Sequence, residues 1–249
     1  MSRERLIFRL IPRLLLIVLL VGFLATPESF EFAFKPLVQT NAPAIYNQGS
    51  LASLTFLHVR MVLLSTALAT VVAVLMAVLV TRPFGAEFLP LARTVVNIGQ
   101  TFPPVAVLAL AVPAMGFGNG PTLVALFLYA LLPIFENTMT ALTTVPRTVA
   151  DAAKGNGMTA LQTFRQVELP LSLPMIVSGI KISTVIGFGT ATIGSTVAAK
   201  TLGEVIIAGL QSNNLAFILQ GALLVAALAI LVFDLLSMLE RSLMKWQAA

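Results

Sequence analysis

The chain has 249 residues, of which 58% are hydrophobic and only 10% are charged. Soluble domains carry roughly one charged residue in four, so this composition excludes an ordinary soluble globular domain. The net charge is +5, but the basic residues fall in the gaps between apolar runs and form no basic stripe. We therefore expect membrane lipid around the chain and no nucleic-acid partner.

The residue inventory also removes most kinds of catalytic site. The chain has no cysteine and a single histidine, His58, which excludes disulfides, iron–sulfur clusters, thiol nucleophiles and paired-histidine metal sites. It has no GxxxxGK[ST] loop, so it cannot hydrolyse ATP by that route. We expect no catalytic residue, no metal and no cofactor, and we interpret His58 as a surface histidine near the outer end of the second span.

Long apolar stretches dominate the chain. A helix needs about 20 such residues to cross a hydrocarbon core of about 30 Å. The sequence predicts an all-α, polytopic membrane protein with six transmembrane helices, at approximately 13–27 extended by a few residues, 56–80, 91–115, 123–144, 174–198 and 216–238. Residues 202–210 are predicted to form a short amphipathic element at the membrane surface.

The first span has an alternative interpretation. Arg3, Arg5, Arg9 and Arg13 precede a short Leu/Ile/Val-rich core, and this order is typical of a cleavable secretory signal peptide. No clear A-x-A cleavage site follows that core, and Pro27 is poorly placed for processing. We therefore expect a retained first helix, with cleavage as the alternative.

The positions of the basic residues predict the orientation, because cytoplasmic loops retain positive charge. With the N-terminus inside, only Lys35, Arg60 and Lys200 of the 15 basic residues lie outside, and the other twelve lie in the cytoplasm. Both termini and residues 82–90 and 145–173 are therefore predicted to be cytoplasmic. We expect three parts: an N-terminal segment, first helix and external loop (1–55), a core transmembrane domain (56–240) and a cytoplasmic tail (241–249).

The fifth predicted span carries a small residue at every fourth position. The members of this stripe are Gly179, Ser183, Gly187, Ala191, Ser195 and Ala199. Such a stripe lets another helix backbone approach closely, either for packing within the subunit or at a dimer interface or translocation path. Gly189, Thr190 and Thr192 lie in the same span, where threonine hydroxyls commonly bond back to the preceding turn.

Two further features lie inside predicted spans. Pro103 and Pro104 remove two backbone donors from the third span, so that helix must kink or break, either beside a pore or only for packing. Glu136, Lys181 and Asp234 are ionisable residues near the cytoplasmic ends of their helices. We expect ion pairing or snorkelling for them, with a proton relay as the alternative.

The longest predicted cytoplasmic loop is residues 145–173. It reads as two short helices joined at 155–157, with Thr148 as a candidate N-cap of the first and Thr159 at the start of the second. Ala152 and Ala153 present almost no side chain. This suits insertion into a groove of another protein.

The same loop carries a spaced motif. Asp151-Ala152-Ala153 is followed after three residues by Gly157, and after nine more by Val167-Glu168-Leu169-Pro170. This resembles the E-A-A, three residues, G, nine residues, I-x-L-P motif in the permease subunits of bacterial ABC importers of type I. Asp for Glu and Val for Ile are conservative departures. The resemblance implies that these residues couple the permease to an ATPase.

Two other segments narrow the resemblance. Residues 129–134 with Asn137-Thr138, and 187–193 with Leu202-Gly203, are similar to permeases of the osmoprotectant branch, which import glycine betaine, choline, carnitine or related compounds. Residues 199–201 replace a glycine-rich turn that is common in that branch, and Glu136 stands where a basic residue is frequent. These departures bear on the substrate more than on the mechanism.

The resemblance implies an assembly in the bacterial inner membrane. Its other members would be cytoplasmic ATP-binding subunits, a second permease that is identical or paralogous, and an extracytoplasmic substrate-binding protein. ATP hydrolysis on the partners would drive alternating access, with 103–104 and 187–195 near the path. An ion-driven secondary transporter would instead show internal repeats and a midplane carboxylate, and a membrane hydrolase would need a nucleophile beside a base.

Overall fold

The computed structural model describes residues 3–39 and 41–247, with side chains described for 11–39 and 41–244. The ends of the expected N-terminal segment and C-terminal tail, residues 1–2 and 248–249, lie outside the described residues. Within those limits the structure is helical and contains no strand. The predicted all-α class is therefore confirmed for the described part of the chain.

The helices follow the order of the predicted spans, with short elements between them. Their bounds are α1 Arg3–Ala25, α2 Leu51–Val80, α3 Leu89–Thr101, α4 Pro104–Met115, α5 Asn119–Thr143, α6 Arg147–Gly155, α7 Ala160–Thr163, α8 Leu169–Ala191, α9 Gly203–Gln211 and α10 Leu215–Gln247. Among the described residues, four helical segments are long and apolar enough to cross a membrane, and two bent pairs raise the number to six if each is one span. These agree with the six predicted spans.

The third span is broken where the sequence predicts it. α3 ends at Thr101, Phe102 is extended with φ −89° and ψ 135°, and the two helical pieces meet at a bend of 100°. A proline disfavours helical geometry in the residue before it, and neither Pro103 nor Pro104 can donate a backbone hydrogen bond. The bend is therefore encoded locally.

Contacts divide the chain into two compact units. The first unit is Met1–Val62, Leu108–Thr122 and Phe188–Leu231, and the second unit is Leu63–Val107, Leu123–Gly187 and Val232–Ala249. In the second unit, Ala69, Ala73 and Ala77 are fully buried and form one core with residues of α3 and α5, including Val96 and Phe135. Alanine at every fourth position of α2 leaves room for these neighbouring helices.

In the first unit, two amides of the α9–α10 region hold the segment that precedes α2. The side chain of Gln220 accepts from the backbone N–H of Tyr46 at 3.0 Å and donates to the carbonyl of Ala44 at 2.7 Å. Asn214 donates to the carbonyl of Pro43 at 2.8 Å. Because these buried groups satisfy one another, residues 43–46 are fixed on the helices of this unit.

The short element predicted at 202–210 is present as a helix, and it packs closely against other parts of the chain. This helix is α9, in which Gly203, Val205, Ala208 and Gly209 are buried. A Cβ on Gly203 would lie 1.9 Å from the Thr192 carbonyl oxygen, and one on Gly209 would lie 2.7 Å from the backbone nitrogen of Ile218. The glycines let α9 pack closely against its neighbours in the first unit.

Candidate functional site

The loop at 145–173 contains the two predicted helices, α6 and α7, joined through 155–157. The second helix starts at Thr159 as predicted, and Thr159 also caps it: its hydroxyl accepts from the N–H of Gln162, and the Gln162 side chain accepts from the N–H of Thr159 at 2.8 Å. The prediction that Thr148 caps α6 is wrong. α6 starts at Arg147, its N-cap is Pro146 and no side chain caps it, so Thr148 lies inside the first turn of the helix and not at the cap position.

Gly157 forms the turn between the two helices. Its φ is +78°, its N–H donates to the carbonyl of Lys154, and the N–H of Met158 donates to the carbonyl of Ala153. Nothing lies within 4 Å of a Cβ built there. Glycine is therefore favoured by the left-handed backbone and not by lack of space.

The motif residues do not all face outward. Asp151 and Ala152 are exposed, whereas Ala153 is buried, with only 5% of its surface exposed. Ala153 therefore packs within this chain, and the sequence could not separate the two alanines because both are small. Ala152 remains available to a partner.

The end of the motif lies beside a mainly apolar cavity of about 350 Å³. Val167 and Pro170 line it together with Val149 of α6 and Leu243 of α10. Leu169 begins α8 and is partly buried. The second half of the motif thus joins the loop helices to the C-terminal part of α10, which lies in the second unit.

The loop also contains an irregular turn that the sequence analysis did not predict. Residues Phe164–Glu168 form one π-helical turn between α7 and α8. Arg82, from the linker after α2, contacts both ends of it: its guanidinium carbon lies 5.1 Å from the centroid of the Phe164 ring, and its Nη2 lies 2.7 Å from Oε2 of Glu168. Turns of this type are frequent at functional sites.

Arg82 was counted in the sequence only as one of the cytoplasmic charges. Its role depends on the acid at Glu168, which occupies the variable position of the motif. The two side chains are 24% and 18% exposed, so this ion pair is more shielded from water than an ordinary surface pair. It connects the linker after α2 directly to the start of α8.

The expected ion pairing is confirmed at Lys181 and Glu136. Lys181 pairs with Glu240 of α10 and lies 5.1 Å from the ring centroid of Phe233. Glu136 pairs with Arg93, with Nε and Oε1 3.3 Å apart. Asp234 is partly buried on α10.

The small-residue stripe packs against α5 in the second unit. A Cβ on Gly179 would lie 2.8 Å from the carbonyl oxygen of Pro133, and the hydroxyl of Ser183 donates to the carbonyl of Ala130 at 2.9 Å. Gly187 is buried as well. Gly179 and Ser183 therefore serve helix packing within the subunit.

The other predicted path residues lie in less crowded surroundings. Gly189 is exposed and has nothing within 4 Å of a built Cβ, and Thr190 is partly exposed. The hydroxyl of Thr192 donates to the Gly189 carbonyl at 2.7 Å, as expected of a helical threonine. Ser195 donates to the carbonyl of Ala199 at 3.0 Å.

The interpretation of His58 as a surface histidine is wrong. Its side chain is fully buried and stacks on the ring of Phe188 with centroids 5.7 Å apart. Nε2 lies 3.1 Å from the carbonyl of Phe188, and Nδ1 accepts from the N–H of Leu202 at 3.3 Å. These partners assign a neutral ring that carries its proton on Nε2. His58 thus links α2 to α8 and to the start of α9.

The comparisons with known proteins agree with this geometry. A family described as the binding-protein-dependent transport system inner membrane component matches residues 69–244. The osmoprotectant import permease protein OsmY of Salmonella typhimurium is 40% identical over 186 residues, which cover 75% of this chain and 79% of OsmY. The choline transport system permease protein OpuBB of Bacillus subtilis is 39% identical over 198 residues, which cover 79% of this chain and 90% of OpuBB.

Solved structures agree on the fold. A chain of the MetNI methionine ABC transporter in an inward-facing conformation matches with a TM-score of 0.69 and 23% identity, covering 78% of this chain and 95% of that one. A chain of an amino acid ABC transporter matches with a TM-score of 0.64 and 16% identity, covering 76% and 92%. Together with the family match over most of its length, these findings show that this chain belongs to the binding-protein-dependent transport system inner membrane components, the permeases of ABC importers.

Proposed function

We propose that this chain is the permease subunit of an ATP-driven importer of osmoprotectants that carry a quaternary ammonium group, such as glycine betaine, choline or carnitine. Relatives at about 40% identity are named for osmoprotectant import and for choline transport. The main support for coupling to ATP hydrolysis comes from the loop at 145–173. Its motif has the spacing of importer permeases, and its two helices turn at a left-handed Gly157.

The chain itself is non-catalytic in this proposal. Two cytoplasmic ATP-binding subunits hydrolyse ATP, a second permease, identical or paralogous, completes the membrane part, and an extracytoplasmic binding protein delivers substrate. Both termini are cytoplasmic, and residues 56–240 form the moving core. The nucleotide shifts the populations of inward-open and outward-open states only if the loop binds the ATPase differently in each.

The structure suggests separate roles within the motif. Asp151 and Ala152, which are exposed, contact the ATPase groove, while Ala153 seats α6 on its own chain and Gly157 sets the angle between the loop helices. Val167, Leu169 and Pro170 pass the displacement into α8. Substrate moves past the break at 103–104 and the end of α8 near Gly187, Gly189, Thr190, Thr192 and Ser195.

Ala152→Glu tests the coupling role without straining the backbone, because Ala152 is exposed on a regular helix. A charge left unpaired in a protein interface costs several kcal/mol, and each 1.4 kcal/mol is a factor of ten in affinity. We expect the variant to fold normally but to lose at least tenfold in co-purification with the cognate ATPase and in substrate-stimulated ATP hydrolysis in liposomes.

Ala86→Glu is the matched control, since Ala86 is an exposed alanine in another segment predicted to be cytoplasmic. It should retain association and ATP hydrolysis. Wild-type behaviour of Ala152→Glu in both assays, or an equal loss in Ala86→Glu, would refute the assignment of this loop as the coupling element.

A further inference from the structure

The helix before the break presents a polar face. Ala92, Val96 and Gly99 are buried on one side of α3, whereas Arg93, Thr94, Asn97, Gln100 and Thr101 are exposed. The amide nitrogens of Asn97 and Gln100 donate to backbone carbonyls, which leaves their amide oxygens as acceptors. Polar side chains in a membrane-crossing segment are expensive against acyl chains, so this face is suited to water or solute.

The polar face ends at a negative helix terminus. In a continuous helix the carbonyls of Gly99 and Gln100 would accept from residues 103 and 104, but both are prolines and have no N–H. The C-terminal end of a helix also carries the negative end of the helix dipole. Half-helix ends of this kind attract cations in membrane transporters.

Two aromatic residues lie at the same point. Phe102 is 45% exposed, and partly exposed Tyr129 of α5 donates its hydroxyl to the carbonyl of Phe102. Gln100 donates to the carbonyl of Tyr129 at 3.1 Å. These bonds fix the end of α3 on α5, so both rings are held beside the negative helix terminus.

A quaternary ammonium group has no N–H to donate, and proteins recognise it by aromatic faces and negative potential. We propose that residues 99–102 together with Tyr129, named here the helix-break site, bind the quaternary ammonium group of the substrate during its passage. This inference rests on the proposed function, which supplies the substrate class. It adds a location and a chemistry: attraction of a cation that needs no hydrogen bond.

The absence of cysteine from the chain makes the site directly testable. In the assembled complex with its ATPase, Thr101→Cys is treated with a methanethiosulfonate reagent carrying trimethylammonium or with one carrying sulfonate. The labelling measured in the complex without the new cysteine is subtracted as background. The labelling rate of each reagent is then divided by the rate at which that reagent modifies a small free thiol. We expect a cation preference of about tenfold, the equivalent of 1.4 kcal/mol, and slower labelling when choline is present.

Substitutions of the rings supply matched controls in the same Thr101→Cys background. Tyr129→Phe keeps an aromatic face but loses the hydroxyl that bonds the Phe102 carbonyl, so it should lose less of the cation preference than Tyr129→Leu, which should reduce it severalfold. Phe102→Leu, at an exposed position that tolerates the change, should act in the same direction. If Tyr129→Leu does not fold, Phe102→Leu still tests whether an aromatic ring produces the cation preference.

Three outcomes would overturn the inference: no reaction with either reagent, a preference near one, or a preference that neither leucine variant changes. Uptake of choline and glycine betaine by the wild-type complex in liposomes separates this from the proposed function. Uptake without cation preference would refute only the helix-break site. Cation preference without uptake of either compound would refute the proposed substrates and leave a cation site of other specificity.

Discussion

The contact between α3 and α5 at Gly99 predicts that adding a single methyl group there destabilises the protein. A Cβ on Gly99 would lie 2.1 Å from the carbonyl oxygen of Leu128 and 2.5 Å from its carbonyl carbon, whereas ordinary contact begins at 3.4 Å. The helices would have to separate locally by about 1.3 Å, the difference between 3.4 and 2.1. No side-chain rotation can relieve this contact, because both atoms belong to the backbone.

Overpacking of this kind costs about 1–3 kcal/mol. For a chain of this size each kcal/mol corresponds to roughly 2–4 °C, so Gly99→Ala should lower the unfolding midpoint by roughly 2–12 °C. Fluorescence-detected size exclusion of a fluorescent-protein fusion, heated in detergent, measures that midpoint. The helix-break site depends on the same contact, so the cation preference of Thr101→Cys should fall with it.

Gly189→Ala is the matched control. Gly189 also lies in a long helix, α8, but nothing lies within 4 Å of its built Cβ. Alanine gains up to about 1 kcal/mol over glycine in a helix, so this variant should match or exceed the wild-type midpoint. Equal midpoints for Gly99→Ala and Gly189→Ala would show that α3 does not approach α5 as closely as described.

The features predictable from the sequence are those that a residue imposes on its own neighbourhood. Pro103 and Pro104 break the third span because they lack N–H groups. Thr159 caps α7 because a hydroxyl and a glutamine three residues on can satisfy the free N–H groups of a helix start. The loop motif could be predicted for the same reason, since its spacing is a local property of the chain.

The features that escaped prediction depend on partners far away in the chain. Burial of His58 requires backbone groups of Phe188 and Leu202, which lie 130 and 144 residues away. The contact of Arg82 with the π-helical turn requires an acid 86 residues on, at Glu168. Burial of Ala153 within its own chain could not be predicted, because an alanine would fit equally well into the groove of a partner protein. Periodicity and charge counting do not contain this information.

Two further predictions concern polar contacts in the two units. Burial, reinforced by the Glu204 carboxylate beside its hydroxyl, raises the pKa of Tyr46 to about 12. In a Tyr129→Phe variant, which keeps Tyr46 as its one tyrosine, the tyrosine absorbance should titrate near pH 12. The stability that the neutral Tyr46 phenol contributes should be complete below pH 10 and lost as the pH rises from 10 to 12. A titration midpoint near pH 10 would refute this prediction. Arg82→Ala and Glu168→Gln, alone and combined, should show a coupling free energy of about 1–2 kcal/mol in unfolding, above the value for exposed pairs.

The Lys154–Asp151 pair supplies the comparison for this last cycle. This pair lies in the same loop region, but its side chains are 71% and 72% exposed, and Lys154 Nζ lies 3.7 Å from Asp151 Oδ1. Its coupling free energy should therefore stay below about 0.5 kcal/mol. If Arg82 positions the π-helical turn, the Arg82→Ala complex should also hydrolyse ATP with weaker stimulation by substrate, while a Lys154→Ala complex should respond as the wild type does. Equal coupling free energies for the two pairs would show that the Arg82–Glu168 contact is an ordinary surface ion pair. Undiminished stimulation of ATP hydrolysis in the Arg82→Ala complex would show that the loop transmits its motion to α8 without this contact.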